Sequence, residues 1–493
     1  MSALQSLKQH FQKIDNFNHL SSICNWDAAA MMPSGGNEAR SRAMADLSVH
    51  IHQLKTAPQL EEWFGKAAQQ TLSVQETAEL REMKRTWQMA NVLPVSLIEA
   101  KSLAGSKCEH AWRSQRVNND WQGFAKNWQE VVTLSQQEAQ IRAEATGLSP
   151  YDAMLDIYEP GTNSHTLSQT FDSIKSWLPS LIDEVVEKQS HQSIIQSSGT
   201  FATAKQKALG LQVMELLQFD FSHGRLDESV HPFCGGVASD VRITTRYNEQ
   251  EFMQSLMGIV HETGHARYEQ GLPVHLAGTP SGEARSMGIH ESQSLFFEMQ
   301  LGRSQAFINH LSRLATQQFT DHAPALFAPD NLIKLYTQVK KDFIRVDADE
   351  LTYPAHVILR FEIERDLING NISYKDVPEL WDNKMQSYLG LSTAGNYKNG
   401  CMQDIHWTDG SFGYFPSYTL GAMNAAQFMA AMKQTVNVDE TIRSGDLTPI
   451  FNWLSEKIWS KGSLLSTDEL VKQATGETLN PLHFQEHLRS RYL

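Results

Sequence analysis

Residues 259–271 read Ile-Val-His-Glu-Thr-Gly-His-Ala-Arg-Tyr-Glu-Gln-Gly, and inside them His261-Glu262-Thr263-Gly264-His265 is a His-Glu-x-x-His pattern. On a helix of about 3.6 residues per turn, His261 and His265 stand one above the other on a single face. Two neutral imidazoles there can reach one Zn2+ at about 2.0–2.1 Å. Glu262 sits beside that ion, placed to take a proton from a bound water. The flanks agree with a helix. Asn248 and Glu251 have the spacing of a capping box, and Phe252, Leu256, Ile259 and Val260 recur on one stripe. Gly271 followed by Pro273 ends the run.

A catalytic zinc usually takes three protein ligands and keeps one position open, so a third ligand is required. Glu269 shares the helix face but lies roughly 12 Å along the axis from His261 at about 1.5 Å per residue, too far for one ion. The metzincin extension would need Gly at position 268 and His at position 271, where the chain has Tyr268 and Gly271. The ligand therefore comes from a second element downstream, and His275, Glu283, His290, Glu291 and Glu298 all have suitable donor atoms. His275 and Glu283 fall in Gly- and Pro-bearing loop sequence, whereas Glu291 opens an apolar-periodic run through Leu295, Phe296 and Met299. A His-His-Glu set drawn from two packed helices is of the thermolysin-like type.

Outward from this stretch, the chain has ordinary globular composition: 493 residues, 41% hydrophobic and 20% charged. Its net charge of −14 argues against a nucleic-acid surface, which needs clustered Lys and Arg. The first residues lack the basic region, apolar run and cleavage site of a signal peptide, and no apolar stretch is long enough to span a bilayer. A soluble, cytoplasmic protein without membrane partners is expected. Cys24, Cys108, Cys234 and Cys401 are far apart with no Cys-x-x-Cys pair, so they read as free thiols.

Helical periodicity dominates the first 190 residues, from Leu4, Leu7, Phe11 and Ile14 through Ala39–Leu54 and a segment that Ser73 and Glu76 cap. The polar stretch 189–200 reads as a loop. Residues 237–247 are enriched in β-branched and aromatic side chains and read as a strand leading into the histidine helix, one whose edge could accept an extended peptide. Helical periodicity resumes after residue 300, and Asn480-Pro481 starts a last helix. No linker or repeat divides the chain, so the expectation is one mainly α unit, residues 1–493, with a small β-sheet.

Further motifs stand in order. His290-Glu291-Ser292-Gln293 resembles the His-Glu-Ser/Gly-Gln motif of the carboxypeptidase Taq family of zinc-dependent metallocarboxypeptidases. His231-Pro232-Phe233 is similar to that family's His-Pro-Phe motif, and Asp240-Val-Arg242-Ile-Thr244 to its Asp-x-Arg-x-Thr motif. Gly400-Cys-Met-Gln403-Asp404-Ile-His406-Trp407 resembles its Gly-x-x-Gln-Asp-x-His-Trp motif, and Ile344–Asp349 its segment ending in Ala-Asp. Trp26-Asp27, Met32-Pro33 with Gly36 and Arg40, Tyr151-Asp152 and Glu159-Pro160-Gly161 also look like family segments. The resemblance covers nearly the whole chain. It implies a largely α-helical fold with a deep groove, often as a homodimer, with His261, His265 and Glu291 on Zn2+ (Co2+ also suits these donors). It also implies removal of C-terminal residues from peptide substrates.

The resemblance places His406 and Tyr418 at the active site, where they are candidates to stabilise the oxyanion while Glu262 serves as base. A C-terminal carboxylate is matched best by an Arg fork. Arg345 is the first candidate and Arg242 the second, with His231 as a further substrate-binding candidate. The close acids Asp347 and Asp349 leave open that Arg345 is a structural ion pair. The zinc pattern alone is also compatible with an endopeptidase.

Overall fold

The computed structural model describes residues 2–493. The architecture is mainly α, as expected: twenty-two α-helices and one three-stranded sheet among the described residues. None of these helices is long and apolar enough to cross a membrane.

Local signals in the sequence act where they were read. The first helix, Ala3–Ala30, buries Leu4, Leu7, Phe11 and Ile14 at helical spacing, against Leu60, Phe64 and Met83 of the next helices. Ser73 and Glu76 form a reciprocal capping box at the start of helix Val74–Asn91, and Asn480 caps the last helix, Pro481–Tyr492. Helix Leu178–Ser190 runs two residues into the polar stretch, and residues 191–202 carry no helix or strand.

The strand region departs from expectation in a way that matters for substrate binding. Strands β1 (Gly224–Glu228), β2 (Cys234–Val237) and β3 (Asp240–Thr245) lie in the order β1-β3-β2, with β3 parallel to β1 and antiparallel to β2. The expected strand over 237–247 is β3, and a tight hairpin turn joins it to β2, which ends at Val237. Gly236 at φ 103 permits it, since a Cβ there would stand 2.1 Å from the Asp240 carbonyl oxygen. β3 is hydrogen-bonded on both sides and cannot take up a peptide. The outer edges that remain belong to β1 and β2, and Pro232, Phe233 and Cys234 at the start of β2 line the groove described below.

The sheet supports the histidine helix, Met253–Gln270. Val241 and Ile243 of β3 pack under Ile259 and Ala266, while Phe252, Leu256 and Val260 enter a separate, larger core with Phe296, Phe297 and Leu301. Apolar burial on these sides directs His261 and His265 to the remaining face. That face opens on a groove of about 820 Å³, walled by the histidine helix, helix Met287–Leu295, the segment Arg345–Pro354 and the first turn of helix Pro416–Met432.

Candidate metal centre and active-site groove

The histidine helix starts at Met253, later than the Asn248–Glu251 spacing suggests. Asn248 and Glu251 instead bridge each other in a turn, with Asn248 Oδ1 accepting from Gln250 N. The Glu251 carboxylate then accepts from the backbone N–H groups of Met253 at 2.5 Å and Gln254 at 2.9 Å. An acidic group at a helix N-terminus satisfies free donors and complements the dipole, so the acid of the expected pair does the capping.

Two turns along, His261 and His265 present their rings to the groove with centroids 5.0 Å apart. Glu291 comes from helix Met287–Leu295, capped by Ser286. Its oxygens lie 4.0 Å from His261 Nε2 and 3.6 Å from His265 Nε2, and the three donor atoms fall within 4.8 Å of one another. These separations are too long for hydrogen bonds. They are close to the ~3.4 Å that separates two ligands held at about 2.0–2.2 Å around a tetrahedral ion. Two imidazole nitrogens and one carboxylate therefore converge as a divalent cation requires.

The other downstream donors are engaged elsewhere. His290 Nε2 meets Glu269 Oε1 at 2.8 Å, and Glu298 Oε2 meets the far nitrogen of His261, Nδ1, at 2.9 Å. His275 lies in the short turn Val274–Leu276 beside the first helix, and Glu283 is outside the groove lining.

The approach of Glu291 depends on two glycines. A Cβ on Gly264, inside the His-Glu-x-x-His pattern, would meet the Gln293 carbonyl oxygen at 2.6 Å and Ser294 Cα at 2.7 Å. A Cβ on Gly421 of helix Pro416–Met432 would meet Glu291 Cβ and Cγ at 2.8 Å. The helix bearing Glu291 is thus pressed between two helices at positions where no side chain fits.

The charges of the site are unbalanced toward the negative. Burial alone would lower His261, but the bond to Glu298 and the charges of Glu291, Glu298 and Glu262 outweigh it and push the imidazole up to about 10. His265 is held well below its ordinary value by burial and by the neighbouring His290 and His261. Burial raises the Glu262 carboxyl to about 7, with His261 pulling the other way, and burial likewise raises Glu291. Carboxylates gathered out of water around the two histidines are the electrostatic setting a cation would stabilise. Glu298 also accepts from Arg303 Nη2 at 2.6 Å, so it is oriented before it holds His261. Partners of this kind fix the tautomer and ring plane of a ligating histidine. Replacing Glu298 by Ala is expected to weaken Co2+ or Zn2+ affinity about 10–100-fold, as measured by competition with a chromophoric chelator.

Farther along the groove, Arg345 is almost fully buried. Its Nε donates to Asp404 Oδ1 at 2.9 Å and its Nη1 to the Tyr353 hydroxyl at 2.6 Å; its backbone N–H donates to Gln403. The ion-pair partner of Arg345 is thus Asp404, which also takes Arg360 Nε at 2.7 Å, and not the sequence neighbours Asp347 or Asp349. Among the described residues Nη2 has no hydrogen-bond partner, and the guanidinium lines the groove. Tyr353, Tyr414 and Tyr418 line it too, with Tyr414 and Tyr418 rings 5.4 Å apart.

Three expected site residues stand apart from the groove lining. His406 lies behind Tyr414, stacked on its ring at 5.4 Å, and burial with the nearby Arg345 lowers it to about 4. Arg242 has its fork closed on Asp240 at 2.6 and 2.9 Å and rests on Trp26, because the helix Ala3–Ala30 covers that face of the sheet. His231 is exposed, while its neighbours Pro232 and Phe233 reach the groove. Reading the sequence did not find the roles of Asp404 and Gln403 or the presence of Tyr414 in the groove. Tyr414 precedes the helix Pro416–Met432, so no helical spacing relates it to Tyr418. The Arg345–Asp404 pairing left no trace in spacing.

The sequence profile described as "Carboxypeptidase Taq (M32) metallopeptidase" matches residues 6–492. The chain is 34% identical to "Carboxypeptidase 1" of Bacillus subtilis over 98% of this chain and 97% of that one. Among solved structures it resembles "Trypanosoma Cruzi Metallocarboxypeptidase 1", with 46% identity, a TM-score of 0.97 and 99% of each chain covered. It also resembles the M32 carboxypeptidase from Deinococcus radiodurans R1, with 29% identity and a TM-score of 0.95 over 99% of this chain and 98% of that one.

Proposed function

This chain belongs to the carboxypeptidase Taq (M32) family of metallopeptidases, and from that premise we propose that it releases single amino acids from peptide C-termini, with Zn2+ as its resident ion and Glu262 as general base. The metallocarboxypeptidase class follows from family membership. The observation that carries the finer reading is the convergence of His261, His265 and Glu291 beside Glu262, in the same groove as Arg345.

Those three residues would hold a divalent ion, which would supply Lewis acidity toward a water and a carbonyl. Co2+ suits the same donors. Glu262, buried beside His261 in the groove, accepts the water proton and passes it to the departing amine. Tyr418 is held well above its ordinary pKa by burial, so it keeps its proton and can donate to the oxyanion, with Tyr414 beside it. Arg345, fixed by Asp404 and Tyr353, offers its Nη2 edge to the substrate carboxylate. Geometry favours no such role for His406, Arg242 or His231.

In this reading the whole chain acts as one catalytic unit in the cytoplasm, and it pairs as a homodimer, which sedimentation velocity would detect. The activity is tested by mass spectrometry of a mixed peptide digest with and without chelator, alongside the same peptides amidated at the C-terminus. Single-residue losses from free C-termini, abolished by chelator and absent from amidated peptides, are expected. Internal cuts, or equal cleavage of amidated peptides, would overturn the exopeptidase reading in favour of an endopeptidase.

A further inference from the structure

Glu159, in the Glu-Pro-Gly segment, is 2% exposed and has no part in the chemistry above. It ends helix Pro150–Tyr158, which Tyr151 and Leu155 anchor in the core at full burial, so the base of the side chain is fixed. Its Oε1 accepts from the backbone N–H of Gly288, in the first turn of the helix carrying Glu291. The same oxygen accepts from the Ser417 hydroxyl at 2.7 Å, in the first turn of the helix carrying Tyr418. The second of these helices has no side-chain cap of its own. One carboxylate therefore sits at the N-terminal ends of two helices, where unpaired N–H groups and both helix dipoles favour a negative group.

The surrounding contacts leave little slack. A Cβ on Gly288 would stand 2.9 Å from Glu159 Oε1 and 3.0 Å from Oε2. A Cβ on Gly413, just before the tyrosine helix, would stand 2.9 Å from Leu155 N. Glu291 lies one turn past Gly288, and Tyr418 follows Ser417 directly.

We propose that Glu159 is a positioning residue, a single buried carboxylate that ties together the first turns of the Glu291 and Tyr418 helices and so sets the third metal ligand against the oxyanion donor. The proposal rests on the reading of the site given above and adds to it a residue that touches neither ion nor substrate. It differs from an ordinary buried cap in what it controls: a cap affects folding alone, whereas Glu159 also sets metal affinity and turnover.

The test is a Co2+ titration followed by visible absorption, run with thermal melting and with kcat and KM of the metal-saturated enzyme, on wild type, Glu159→Gln, Glu159→Ala, Ser417→Ala and Gly288→Ala. Glu159→Ala is expected to weaken Co2+ binding by about 10–100-fold. It is also expected to lower kcat about 10-fold with KM held within about twofold. Glu159→Gln, which keeps an acceptor oxygen, should recover part of both. Folded variants with wild-type Co2+ affinity and kcat and only a lowered melting temperature would overturn the proposal. If Glu159→Ala does not fold, Gly288→Ala decides. Its methyl group displaces the carboxylate while alanine favours the helix, so unchanged Co2+ affinity there overturns the proposal as well. Should the wild type release no amino acid, the peptidase reading fails, yet the Co2+ titration still tests Glu159.

Discussion

Glu262→Gln is expected to keep the bound metal and lose nearly all hydrolysis. Glu262 is 8% exposed and lines the groove beside His261, so the amide fits the same space and hydrogen-bonds without the capacity to take a proton. General-base catalysis by a positioned side chain contributes about 10²–10⁴-fold, and a fall in kcat of that size is expected with KM little changed. Glu262 is not one of the three converging donors, so metal content per chain, measured by atomic emission, should stay at the wild-type value. Retained turnover would remove Glu262 from the mechanism, and loss of metal would show that its role is structural.

The second large effect is expected from Gly264→Ala, although alanine is the better helix former by about 0.8–1.0 kcal/mol. The new methyl would meet the Gln293 carbonyl oxygen at 2.6 Å and Ser294 Cα at 2.7 Å, and both are backbone atoms that cannot turn aside as a side chain would. The helix carrying Glu291 must move, and overpacking of this kind costs about 1–3 kcal/mol of stability. Because Glu291 stands two residues before Gln293, the shift also spreads the three donors. Metal affinity and activity should both fall, by at least as much as in Glu298→Ala. A variant that melts earlier yet titrates metal like the wild type would show that Glu291 adapts independently of its helix.

Much of this site was legible before any coordinates, for a physical reason. His261 and His265 belong to one helix, whose geometry depends on local hydrogen bonding, so a spacing of four residues already sets both rings on one face. The caps at Ser73 and Asn480 were legible on the same ground, as each is a contact within a few residues. Where the local signal offered two solutions it misled. Asn248 and Glu251 have a capping-box spacing but form a turn, and Glu251 alone serves the helix start. The strand leading into the helix was seen, but its pairing on both sides was not, because pairing joins segments that the local pattern does not relate.

From the residues alone, then, the chemistry of two imidazoles and a base could be stated, together with a mainly helical chain and a short set of third ligands. The resemblance of motifs along the chain narrowed that set to Glu291. Only tertiary packing decided that Glu298 turns to the far nitrogen of His261 and that Asp404 closes on Arg345 across a separation of 59 residues. Packing likewise withdrew Arg242 beneath Trp26 and His406 behind Tyr414. A helix aims side chains by its own periodicity, but which of two carboxylates reaches a given nitrogen depends on how closely helices approach. That approach is set here by Gly264 and Gly421, whose missing side chains act only when another helix lies against them.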